Sequence, residues 1–119
     1  ANVSHSNGWF ELSPMPIAWA GTTHCGQAID PSTSSVYLAG GLALRPGKRF
    51  TRGEAESSRD VLVFSAADAT WRALPELPAS RMGGGVALLE GRLHFMAGAT
   101  TDGAGKEMYV DKTTHWALA

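Results

Sequence analysis

Cysteine is nearly missing from this sequence: Cys25 stands alone in 119 residues, and a lone thiol excludes a framework of internal disulfides. Charge is sparse and balanced, 10 Lys and Arg against 11 Asp and Glu. Neither nucleic acid nor an anionic membrane surface finds the basic field it requires. No apolar run approaches the ~18 residues of a membrane-spanning helix, and no charged-then-apolar leader opens the chain, so a soluble protein with no membrane partner is expected. The helical period is absent too, broken by glycine, proline and β-branched residues. No G-x-S-x-G, Walker or dinucleotide-binding glycine pattern occurs. His5, His24, His94 and His115 are scattered without metal-ligand spacing, and His24 and Cys25, as strand neighbours, point to opposite faces. No metal, no cofactor and no catalytic residue is expected.

What remains is a repeat. Trp9 is followed by Leu12 and Pro16 at the spacings at which Trp71 is followed by Leu74 and Pro78. Continued without a gap, that alignment sets Trp19 against Arg81 and Gly21 against Gly83. "SVYLAGG" ends on Gly40-Gly41 and "RLHFMAGA" on Gly98-Ala99, while Phe64 precedes Trp71 as Tyr109 precedes Trp116. Short runs rich in Val, Leu and aromatics, bounded by Gly, Asp and Ser, read as strands. "LEGR" (89–92) reads as a tight hairpin turn and "DPSTSS" (30–35) as a looser one. The spacing predicts two four-stranded meanders, at 22–29, 35–40, 59–65 and 70–74, then at 83–89, 92–97, 106–110 and 114–118. An extra strand at 8–12 precedes them. The whole chain, 1–119, is one all-β unit, with one sheet unit over 22–75 and the next over 83–118.

The ordered set Gly40-Gly41, Phe64, Trp71, Leu74 and Leu77-Pro78, repeated as Gly98, Tyr109 and Trp116, resembles the kelch repeat. The resemblance covers nearly the whole chain. It departs in Phe64 for the commoner Tyr and in Ala99 for the second Gly. It implies β-propeller blades, with glycines where neighbouring backbones approach near the axis and Trp on an outer strand between blades. The region around Cys25 is also similar to that of galactose oxidase-like copper radical enzymes, which use such propellers. Their tyrosine partner falls on Gly83 here, so copper-radical chemistry is not expected.

Two blades leave whole sheet faces bare, and a ring takes about four to eight. Closure by three copies, by the rest of a longer propeller, or by a different chain are the alternatives. Nine predicted strands are one more than two blades need, so "GWFEL" (8–12) and "HWAL" (115–118) compete for one place. Loops between the second and third strands collect at the end of the crossings. Kelch-like propellers commonly bind a protein or peptide there, and a carbohydrate is a further option. Arg45, Arg49 and Arg52 in the long loop, with Trp19 and Arg81 at the crossings, are the candidate contacts, because guanidinium forks fit carboxylates. Two competing classes are an enzyme acting on sugars or sugar acids, for which His24 and Arg81 are the first residues to test, and a self-assembling module without a ligand.

Overall fold

The computed structural model describes residues 3–4, 8–16, 25–44, 55–101 and 109–119. Among them every regular element is a strand: β1 (Val3–Ser4), β2 (Phe10–Glu11), β3 (Gly26–Asp30), β4 (Ser35–Ala39), β5 (Leu42–Leu44), β6 (Ala55–Ser57), β7 (Val61–Ser65), β8 (Thr70–Ala73), β9 (Gly85–Leu89), β10 (Arg92–Met96), β11 (Ala99–Thr101), β12 (Tyr109–Asp111) and β13 (His115–Ala117). All pairings are antiparallel.

The first sheet, ordered β3-β4-β7-β8, is a four-stranded meander. Its turns follow from local chemistry. Asp30 accepts hydrogen bonds from the Ser32 amide (3.0 Å) and hydroxyl (2.6 Å), an Asx-type closure. The Ser32 hydroxyl, ahead of the other contacts, holds the Asp30 carboxyl below its ordinary pKa. Thr70 caps the next turn by donating to Asp68 at 2.8 Å. In the second sheet the β9–β10 turn puts both Glu90 (φ 51°) and Gly91 (φ 76°) in the left-handed region, the two-residue geometry whose twist suits a hairpin.

The second sheet departs from expectation. It has three strands among the described residues, β13-β10-β9, where four were predicted. The segment predicted as its third strand, 106–110, contributes β12, which pairs with β11 in a separate hairpin. That hairpin corresponds to β5–β6 beside the first sheet. Trp116 therefore lies on the third strand of its sheet, opposite Phe95 of β10, whereas Trp71 lies on a fourth. The matching intervals Phe64–Trp71 and Tyr109–Trp116 mean different things. Phe64 faces Trp71 across a ladder, with ring centroids 5.0 Å apart, whereas Tyr109 pairs with Thr101. The ninth strand dissolves with this assignment, since β12 belongs to neither sheet.

The glycine alignment also shifts by one residue. Gly40 (φ 69°) and Gly41 (φ 100°) are matched in conformation by Ala97 (φ 59°) and Gly98 (φ 85°), not by Gly98 and Ala99. At both places two successive left-handed residues swing the chain out of the sheet into a hairpin.

The sheets stack face to face. Alternation along the strands sends Ala28, Tyr37, Ala39, Val61 and Leu74 of the first towards Val86, Leu88, Leu93, Phe95, Trp116 and Leu118 of the second, with Leu77 between. Gly26 lies against Val86, and a side chain at that point would collide with it, so its glycine sets the closeness of β3 and β9. The predicted strand at 8–12 is reduced to β2, which pairs with β1 and leaves Trp9 76%, Phe10 62% and Leu12 42% exposed.

Candidate functional site

Both hairpins, β5–β6 and β11–β12, root on the segment that crosses from the first sheet to the second. The Gly41 amide donates to the Arg81 carbonyl at 2.8 Å and the Arg81 amide to the Ser58 carbonyl at 2.9 Å. One residue on, Met82 and Ala99 exchange both amide bonds, at 2.9 and 2.8 Å. The base of the loop-bearing end is thus a continuous backbone lattice, with Leu42, Met82 and Ala99 as a small apolar cluster beneath it.

Arg81 is the charged residue of this lattice, and it is buried, at 4% exposure. Its Nη1 donates to the Ser80 carbonyl at 2.7 Å and its Nη2 to the Thr114 hydroxyl at 3.2 Å. The guanidinium lies 4.6 Å from the centre of the Trp116 ring, a cation–π distance. Burial pushes its pKa down, yet a guanidinium stays protonated at neutral pH. The positive charge is therefore held by a carbonyl, a hydroxyl and a ring face, and it ties the crossing to the third strand of the second sheet. Ser57 and Ser80 meet at 2.8 Å, and Ser58 donates to Asp60 at 2.8 Å, completing a polar layer beside it.

Replacing Arg81 by alanine should cost about 2–4 kcal/mol, because hydrogen bonds to a charged group and a desolvated cation–π contact vanish together. Arg81→Lys should recover less than half, since an ammonium lacks the planar fork. Thermal melts of the three proteins check this, and a cost under about 0.5 kcal/mol would remove Arg81 from the structural lattice.

Of the other sequence-predicted contacts, Trp19, Arg45, Arg49 and Arg52 lie outside the described residues, as does His24. The structure brings Arg81 together with Ser80, Thr114 and Trp116, a grouping the sequence does not announce. It also brings together two histidines that read as scattered. His94 Nδ1 and His115 Nε2 are 2.9 Å apart on the far face of the second sheet. The register explains this, for Met96 opposite His115 makes His94 its diagonal neighbour on one face. Cys25 is buried beside the Ala39 carbonyl, and desolvation raises its pKa to about 11, so it is a thiol at neutral pH and a poor nucleophile.

Between the sheets, on the side of β13, an apolar cleft of about 320 Å³ opens. Pro75, Leu77 and Pro78 form one wall, and Trp116, Ala117 and Leu118 the other.

No protein-family model and no curated protein matches this sequence. Among solved structures, one titled "Structure of YjhT" is similar, with a TM-score of 0.59 and 19% identity. The match covers 90% of this chain and 30% of that one, so this chain spans under a third of that structure's length. A likeness at that identity concerns the fold.

Proposed function

We propose that this chain is a pair of kelch-type propeller blades and works as a recognition module, with its ligand held by the loops at the end where β5–β6 and β11–β12 emerge. The observation that carries the reading is the shared root of the two hairpins, where the crossing strand bonds to both. Loops on a rigid base are where scaffolds of this kind place their contacts. Arg45, Arg49 and Arg52 belong to the β5–β6 connection, and their forks suit the carboxylates of an acidic peptide or a uronic-acid glycan. Arg81, enclosed in the lattice, supports this face from below and is not itself a contact. The fold likeness to part of a much longer chain is consistent with a repeat array that continues beyond two blades.

The test is a binding panel of glutamate-rich peptides and oligogalacturonates, run on the native chain and on an Arg45→Ala, Arg49→Ala, Arg52→Ala triple variant. The triple variant should bind roughly 10- to 100-fold more weakly, as loss of one or two charge-assisted hydrogen bonds implies, with an unchanged melt. Binding that survives the substitutions, or no binding to either class of probe, would sink this assignment of the face.

A further inference from the structure

His94 and His115 stand 21 residues apart in the chain and meet through the register of the second sheet, nitrogen to nitrogen. We infer that the pair is a binding site for a divalent transition-metal ion, copper(II) before nickel(II) or zinc(II), held by His94 Nδ1 and His115 Nε2. The site lies on the far face of the second sheet and is independent of the loop-face reading.

The backbone fixes the spacing of the two donors. β10 is laddered to β9 on one side and to β13 on the other. His94 and Met96, two residues apart on β10, face the same way, and His115 stands opposite Met96. On the opposite face Trp116 stacks on Phe95 and lies against the Arg81 guanidinium, so β13 does not slide along β10 without losing both contacts. The two nitrogens are 2.9 Å apart, with ring centroids at 5.1 Å and ring planes inclined by 50°.

That spacing selects the ion. With metal–nitrogen bonds of about 2.0–2.1 Å, a span of 2.9 Å closes an angle of about 90° at the metal. A tetrahedral zinc centre would spread the same two nitrogens to roughly 3.3 Å. Right-angled neighbours belong to the square-planar or tetragonal sets that copper(II) and nickel(II) favour, and copper(II) stands highest in the affinity order. Without metal, one ring donates its N–H to the other. On binding, that proton passes through solvent to the outer nitrogen of its own ring, and each imidazole turns about its soft χ2 torsion until both lone pairs meet on the ion. Among the described residues no group of three or more His, Cys, Asp and Glu side chains is placed to hold a metal, so two imidazoles hold this one and water completes it. His115 is exposed, and a surface hollow lined by Leu89, Glu90, Arg92 and His94 keeps that side open to solvent. Arg92 lies on the same face two residues before His94, and its charge keeps the affinity moderate. Cys25, a buried thiol at the start of the first sheet, takes no part.

Copper(II) titration of the native chain, followed by electron paramagnetic resonance, tests the site. The tightest-bound ion should show two imidazole nitrogens in its hyperfine pattern. Even a hydrogen-bond partner of a metal ligand contributes about 10–100-fold to affinity, so His94→Ala and His115→Ala should each weaken that binding by at least about tenfold and leave one nitrogen in the spectrum. His5→Ala and His24→Ala should alter neither reading. A measurement on the native chain needs no variant to fold: copper(II) should slow diethyl pyrocarbonate labelling of His94 and His115 and leave that of His5 and His24 unchanged. No copper binding, a one-nitrogen spectrum from the native chain, affinity unmoved in both alanine variants, or protection of other histidines instead overturns the site. Zinc(II) bound more tightly than copper(II) overturns its right-angled geometry. None of these results bears on the loop face, whose test is the binding panel.

Discussion

Phe95→Ala should destabilise the fold by about 3–5 kcal/mol, the range for emptying a buried phenylalanine site, and lower the melting temperature by roughly 15–25 °C. Phe95 is 3% exposed at the centre of the sheet stack. Its ring stacks on Trp116 with centroids 6.2 Å apart. It occupies the space left by two glycines: a Cβ on Gly40 would stand 3.4 Å from Phe95 Cε2, and one on Gly84 would collide with the ring. Glycine backbones cannot move in to refill that volume while both sheets hold their registers, so the cavity persists and the cost falls at the high end. Phe95→Leu should cost about 1–2 kcal/mol. Denaturant titration of the three proteins measures this. A loss below about 1 kcal/mol for the alanine variant would mean that the sheets are not packed through this residue.

Gly40→Ala should cost about 2–4 kcal/mol, while Ala97→Gly, at the equivalent turn, should stabilise by up to about 1 kcal/mol. Both residues have left-handed backbones, at φ 69° and φ 59°, so conformational preference alone would make the two sites alike. Space separates them. A Cβ on Gly40 would lie 2.6 Å from the Arg81 carbonyl oxygen, the same oxygen that accepts the Gly41 amide at 2.8 Å. Relieving the clash breaks the bond that roots β5–β6 on the crossing segment. Ala97 is exposed and pays only the intrinsic cost of its backbone angle. Equal effects at the two positions would show that the carbonyl contact carries no strain and that the lattice can shift around it.

The contrast marks how far the sequence could be read. "AGG" and "MAGA" both announced a break after the second strand, and the break is at each. Which two residues take the left-handed angles was not legible, because alanine in that conformation leaves no compositional trace. Trp71 was placed on the outer strand, and it lies there. Trp116 was misplaced because a hairpin and a sheet strand share one local pattern, and only pairing distinguishes β12 from a member of the sheet. Among the candidate contacts, Arg81 looked from sequence like a loop-end cation, whereas it is enclosed under Trp116 and bonded to Thr114. Nothing near Arg81 in the chain foretells that burial, since Thr114 and Trp116 come from a distant strand.

Nearest neighbours in the chain dictate the strands, their two-residue alternation, the Asp and Gly turns, and the repeat that makes one sheet resemble the next. Those properties rest on steric and hydrogen-bonding preferences acting within a few residues. Long-range packing settles which described strands share a sheet, that His94 meets His115, and that Trp116 covers a buried guanidinium. Each depends on register between segments far apart in the chain. A shift of one residue reverses every side chain's face, and composition does not record such a shift.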